Sequence, residues 1–71
     1  MTERQVWFRE ADQRVGRYGF EVLTSPDGME SVFRRTHMET DVMSKWTFTG
    51  ETSLHAAMRR FEEEVLAEMY G

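Results

Sequence analysis

The sequence contains no cysteine, only one proline and no long apolar segment. Without cysteine the chain forms neither disulfides nor zinc–thiolate sites, which support many folds of this size. No uninterrupted apolar run exceeds three residues, as in Val6-Trp7-Phe8, whereas a membrane-spanning helix needs about 20 and the core of a signal peptide about 7–15. We therefore expect a cytoplasmic protein with no membrane-spanning segment and no cleaved leader.

Positive charge is also scarce. Nine Lys and Arg residues stand against 13 Asp and Glu residues, which gives a net charge of −4 at pH 7. Domains that bind nucleic acid usually carry a basic excess. The charge balance therefore argues against a general nucleic-acid-binding domain, although it leaves room for a local basic patch.

Aromatic side chains are plentiful instead. The 71 residues include two Trp, two Tyr and five Phe, together with six Met. A chain of this length buries only about 60% of its unfolded surface and has a thin core, so large side chains must supply much of the apolar area. We expect one domain spanning residues 1–71.

The segment 52–70 is the clearest helix in the sequence. With about 100° between successive residues, its apolar side chains fall within an arc of about 120°, which is typical of a helix packed on another layer. These side chains are Leu54, Ala57, Met58, Phe61, Val65 and Met69. The hydroxyl of Thr52 or Ser53 is expected to cap the first turn.

Three segments before the helix have the two-residue period of half-buried strands. They are residues 17–24, 29–38 and 44–49. Between the first two, Ser25-Pro26-Asp27-Gly28 has the residue preferences of a type I turn. It predicts a hairpin in which Thr24 lies opposite Met29.

Residues 2–15 admit two interpretations. As a helix, Thr2 and Gln5 form a capping box and Gly16 a C-terminal cap. As a strand, Val6-Trp7-Phe8 supplies the β-branched and aromatic residues that strands prefer, and residues 11–14 form a turn. The strand is favoured, because a capping box at a chain terminus tends to fray.

These elements predict a two-layer α+β fold. It is a small antiparallel β-meander of three or four strands packed by one C-terminal amphipathic helix, in the order β-β-β-β-α. If residues 2–15 are helical, the order is α-β-β-β-α. In both cases residues 39–43 are expected to form a loop before the last strand.

No combination of residues predicts catalysis or metal binding. His37 and His55 are the only histidines, and their spacing to nearby carboxylates matches no metal motif. Ser53 and His55 are two residues apart and do not face each other on a helix. The sequence has neither a nucleophile elbow nor a glycine-rich phosphate loop. We expect a protein that is not an enzyme, with no catalytic residue, no cofactor and no metal.

Four glutamates in the second half of the predicted helix form the first candidate surface. They are Glu62, Glu63, Glu64 and Glu68. Acidic residues are mildly unfavourable near a helix C-terminus, where the macrodipole is negative. Because local electrostatics do not account for this cluster, we interpret it either as a solvated face or as a contact surface for a partner with a basic surface.

The predicted sheet carries arginine and aromatic residues, which are the components of sites that bind single-stranded nucleic acid. They are Trp7, Tyr18, Arg34, Arg35 and Trp46. Arg34 and Arg35 point to opposite faces of their strand, so they do not form one patch.

Leu66 and Tyr70 form a third candidate surface. They lie about 60–100° beyond the edge of the apolar arc of the helix. They either widen its contact with the core or form an exposed patch for a homodimer.

The expected function is therefore that of a non-enzymatic protein–protein interaction module. A specific form of this hypothesis is a small acidic inhibitor of phage or mobile-element type, which occludes a basic, nucleic-acid-binding surface of a host complex. The alternatives are a nucleic-acid-binding domain that uses the Arg and aromatic residues of the sheet, and a small structural subunit that dimerises.

Overall fold

Four antiparallel strands and one helix make up the computed structural model, which describes residues 6–71. The elements are β1 (Phe8–Val15), β2 (Tyr18–Thr24), β3 (Glu30–His37), β4 (Met43–Thr49) and α1 (Ser53–Tyr70). The strands lie in the order β1-β2-β3-β4, and each is antiparallel to its neighbours. The α+β class and the order β-β-β-β-α are thus confirmed.

The core lies between α1 and one face of the sheet. Its buried apolar side chains are Phe20, Val22, Phe33, Ala57, Phe61 and Val65. Phe33 is at the centre: its ring stacks on those of Phe20 and Trp46, with centroids 6.1 and 5.3 Å away, and meets that of Phe61 edge-on at 6.5 Å. Such aromatic pairs add about 0.5–1.5 kcal/mol each beyond their buried area, so Phe33 links the sheet to the helix.

A chain of buried hydroxyl groups joins the start of α1 to the sheet. Ser31 Oγ lies 3.0 Å from Thr24 Oγ1 and 3.1 Å from Ser53 Oγ. The Ser53 hydroxyl also donates to the carbonyl oxygen of Gly28 at 3.4 Å. The expected caps are therefore wrong, because Ser53 directs its hydroxyl at the sheet and the N-cap residue, Thr52, makes no side-chain hydrogen bond to the first turn.

β1 is a strand, as favoured, but its extent differs from the prediction. Residues 11–14, expected to form a turn, lie within the strand. The turn falls at Gly16 and Arg17, where Gly16 adopts a φ of 59°, and a β-bulge lies between Arg9 and Ala11. The capping box expected at Thr2 and Gln5 lies outside the described residues.

The β2–β3 hairpin joins the predicted strands in a register shifted by two residues. Thr24 lies opposite Ser31 rather than Met29. A turn forms at residues 25–28 as predicted, since Gly28 N donates to Ser25 O at 2.9 Å. Gly28 has a φ of 75°, however, and the loop closes only where Ser25 N donates to the Glu30 carbonyl. Because the shift is even, it leaves every side chain on the same face of the sheet, and Phe20, Val22 and Phe33 pack in the core against the helix.

Asp27 stabilises this loop from its tip. Its Oδ1 accepts hydrogen bonds from Met29 N at 3.0 Å and from Ser25 Oγ at 2.7 Å. Both bonds favour the ionised carboxylate and lower the pKa of Asp27 below its ordinary value.

Candidate interaction surfaces

The exposed side of α1 carries acidic and apolar side chains together. The residues that α1 buries are Ser53, Ala57, Phe61 and Val65. Toward the C-terminal end of α1, Leu66, Met69 and Tyr70 are 52%, 51% and 82% exposed. With about 100° per residue, Leu66 and Tyr70 fall between Glu62 and Glu63 around the helix. We call the surface formed by Glu62, Glu63, Leu66, Met69 and Tyr70 the outer face.

The outer face combines two surfaces that the sequence predicted separately. Leu66 and Tyr70 do not widen the core contact. Met69 was expected in the buried arc but is exposed, since the last residue that α1 buries is Val65. An acidic pair therefore borders an apolar patch on the last turns of the helix.

Glu64 lies toward the sheet and is not part of the outer face. Its carboxylate is 3.0 Å from Arg60 Nε and 3.9 Å from Arg35 Nη1. The Arg35 guanidinium lies over the rings of Tyr18 and Trp46, with its Cζ 5.4 Å from each centroid. The Cζ of Arg60 is 4.9 Å from the Trp46 centroid. We call these five residues the arginine cluster; its ion pairs and cation–π contacts hold α1 against β2, β3 and β4.

Glu68 is exposed but also turns toward the sheet. Its Oε1 lies so near Gly16 that a Cβ added there would be 3.3 Å from it. Of the four predicted glutamates, only Glu62 and Glu63 therefore face away from the sheet. Glu64 lies against Arg35 of β3, and Glu68 lies against Gly16 in the turn between β1 and β2.

Most arginines of the described residues are already paired. Those in ion pairs are Arg9, Arg17, Arg34, Arg35 and Arg60. Glu62 and Glu63, by contrast, form no ion pair within residues 6–71. Their carboxylates are thus available to a partner, and the exposed Arg59 lies on the same side of the helix, three and four residues before them.

The sheet face opposite α1, which we call the open face, has no covering helix within residues 6–71. A depression of about 300 Å³ on it is lined in part by Trp7, Leu23, Val32 and Lys45. Arg34 also lies there, but its Nε donates to Glu21 Oε1 at 2.8 Å. Its charge is therefore compensated within the fold.

The five residues predicted as possible sheet-face contacts are divided between two faces. Trp7 and Arg34 lie on the open face. Tyr18, Arg35 and Trp46 lie on the helix side, where they belong to the arginine cluster. The geometry therefore does not bring the predicted arginine and aromatic residues together into a single nucleic-acid platform.

Within the described residues, no group of three or more His, Cys, Asp or Glu side chains is placed to hold a metal ion. Nδ1 of His37 is buried without a hydrogen-bond partner, and its ring meets that of Tyr18 edge-on at 5.1 Å. His55 is exposed on the first turns of α1. Over residues 6–71 no helix has the length and apolar character needed to cross a bilayer.

Comparisons of the chain with models of protein families, with curated proteins and with solved structures gave no match.

Proposed function

We propose that this protein is a non-enzymatic protein-binding module whose outer face docks on a partner with a basic surface. The observation that supports this most directly is the exposure of Leu66, Met69 and Tyr70 beside Glu62 and Glu63. An exposed apolar patch rimmed by polar residues is typical of protein interaction sites. Tyr and Met are also enriched at such interfaces.

The two kinds of side chain contribute differently to binding. Tyr70 and Leu66 supply apolar area that is lost to water in the complex, and a tyrosine in this position acts as an anchor. Glu62 and Glu63 attract a basic partner during encounter and exclude acidic ones. We therefore expect salt to slow association more than it speeds dissociation.

A narrower form of this proposal concerns the partner. If its basic surface is one that binds nucleic acid, docking of the outer face excludes the nucleic acid, and the protein acts as a small inhibitor of phage or mobile-element type in the cytoplasm. A homodimer through Leu66 and Tyr70 is a less favourable use of the same face. Two-fold symmetry would place the acidic residues of both protomers at one interface.

Affinity capture from a lysate of the native host, with the captured proteins identified by mass, tests the proposal. The variant carries Glu62→Lys and Glu63→Lys together. Its matched control carries Glu10→Lys and Glu51→Lys, which change the net charge equally at exposed positions elsewhere. We expect the outer-face variant to lose the captured partner and the control to keep it.

Equal capture by the two variants would contradict the outer face as the docking site. Filter binding with single- and double-stranded DNA and RNA at two salt concentrations provides a second arm. We expect no retention at low salt, where phosphate contacts are strongest. Retention that falls steeply with salt would favour the nucleic-acid-binding alternative instead.

A further inference from the structure

β4 is an edge strand, and the hydrogen bonds at its two ends show which of its residues bond to β3. At one end of the β3–β4 ladder Gly50 N donates to Met29 O at 2.7 Å, and at the other His37 N donates to Val42 O at 2.9 Å. The register between them is unbroken. Because bonded and non-bonded pairs alternate along an antiparallel ladder, alternate residues of β4 bond to β3.

The intervening residues of β4 direct their N–H and C=O groups away from the sheet. They are Met43, Lys45, Thr47 and Thr49. This row of free donors and acceptors is a template for a further strand.

The two edges of the sheet differ in how well they resist such pairing. β1 carries a β-bulge and four charged residues, which are devices that keep edge strands from pairing. These residues are Arg9, Glu10, Asp12 and Arg14. β4 has an unbroken register and a single charged residue, Lys45. β4 is therefore the edge open to strand addition.

A groove of about 310 Å³ lies beside this edge, between β4 and α1. Its lining residues are Phe48, His55, Ala56, Arg59, Arg60 and Glu63. In a strand added to β4, alternate side chains would enter the groove, and the remaining ones would lie next to Lys45 on the open face.

The charged side chains around β4 indicate which kind of segment would bind there. Arg59 and Lys45 form no ion pair within residues 6–71, and they lie on the two sides of the strand. Glu63 is the only acidic residue of the groove lining. Two cations without an ion pair thus flank the edge of a protein whose net charge is −4.

We propose that β4 accepts an extended acidic segment of a partner protein as a fifth strand of the sheet. Main-chain hydrogen bonds to the outward groups of β4 supply affinity, and carboxylates directed at Arg59 and Lys45 supply selectivity. A second copy of this chain fits less well, because pairing two β4 strands would bring these cations close to their own counterparts. The site shares Glu63 with the outer face, but it does not depend on the role proposed for that face.

The test uses the full ¹⁵N-labelled chain and a synthetic peptide with blocked ends, built from alternating glutamate and valine. A peptide with lysine in place of glutamate is the control. We expect the glutamate peptide, and not the lysine peptide, to shift the amide signals of Lys45, Thr47 and Thr49. Tyr70→Ala, which alters the outer face, should leave this binding unchanged.

Two pairs of variants distinguish the contribution of main-chain hydrogen bonds to binding from that of charge. Thr47→Pro removes an outward N–H at a position where an edge strand tolerates proline, and should weaken binding about tenfold, whereas Thr47→Ala keeps the N–H and the affinity. Arg59→Glu should weaken binding about three- to tenfold. Arg14→Glu makes the same charge change on the β1 edge and should have no effect.

Several outcomes would overturn the proposal. They are equal binding of the two peptides, no binding of the glutamate peptide, or equal affinities within either pair of variants. A dimer mass in light scattering that Thr47→Pro reduces to the monomer would also overturn it, because β4 would then be occupied by a second copy. If circular dichroism shows that Thr47→Pro is unfolded, the peptide affinities of Arg59→Glu and Arg14→Glu are compared instead. Equal affinities of these two variants would overturn the proposal.

Discussion

Replacing Ser31 with alanine tests how the helix is fixed on the sheet. The side chain of Ser31 is completely buried, and its hydroxyl bridges Thr24 on β2 to Ser53 at the start of α1. Its removal takes one partner from each neighbouring hydroxyl. Ser53 keeps only the long bond to the carbonyl of Gly28, at 3.4 Å, and Thr24 loses the bond of 3.0 Å.

The expected loss follows from the cost of leaving buried polar groups unpaired. That cost is about 1–3 kcal/mol for a neutral group, so we expect the free energy of unfolding to fall by about 2 kcal/mol. A domain of this size changes its Tm by about 4–8 °C per kcal/mol, which corresponds to a fall of about 8–16 °C. Small domains have only about 0.05–0.15 kcal/mol of stability per residue, so the loss is a large share of the total.

Thermal and urea unfolding followed by circular dichroism measure this loss. A triple variant with Thr24→Val, Ser31→Ala and Ser53→Ala is the informative comparison. It removes all three hydroxyls and leaves only the Gly28 carbonyl without its 3.4 Å bond. Replacing the partners of a buried hydrogen bond together by apolar groups is far less costly than removing one of them. The triple variant should therefore lose less stability than the sum of its single substitutions. A Tm of Ser31→Ala within about 2 °C of the parent, or full additivity, would refute this reasoning.

Two further predictions concern charged groups. Glu64→Lys places a third cation beside Arg35 and Arg60. It should lower the Tm by several degrees more than Glu62→Lys, which makes the same charge change on the outer face. An equal fall in Tm for the two variants would mean that the arginine cluster does not hold the helix. Asp27→Ala removes the carboxylate that accepts hydrogen bonds from Met29 N and Ser25 Oγ. These bonds lower the pKa of Asp27 below its ordinary value of 3.8. Because the pKa is lower in the folded state, the stabilisation is complete above pH 3.8 and is lost as the pH falls through the folded pKa. The difference in Tm between parent and variant should therefore narrow below pH 3.8, and a constant difference from pH 7 to pH 2 would rule this out.

Local patterns predict most of the fold, because the strands β2 to β4 alternate and the helix has a continuous apolar arc. They do not predict the extent of β1. Residues 11–14 lie on an exposed edge, so their polar character does not alternate, and only pairing with β2 makes them a strand. The hairpin register also depends on more than the turn at residues 25–28, because the loop continues past Gly28 to the bond between Ser25 N and the Glu30 carbonyl.

The candidate site was predictable in composition but only partly in arrangement. The role of Glu64 depends on Arg35, which comes from β3, and no helical pattern indicates how α1 lies over that strand. The division of the sheet residues between two faces follows partly from strand alternation, which already separates Arg34 from Arg35. The position of Leu66 and Tyr70 between Glu62 and Glu63 follows from helical spacing alone and can be derived from the sequence.

The position of α1 after all four strands affects how the chain folds during synthesis. The apolar face around Phe20 and Phe33 has no second layer until Phe61 and Val65 have left the ribosome. Until then the nascent sheet exposes aromatic side chains and the free edge of β4, and both are features that promote association with other unfolded chains. The time that α1 takes to emerge and dock therefore sets the interval during which a newly made molecule is open to aggregation or to capture by a chaperone.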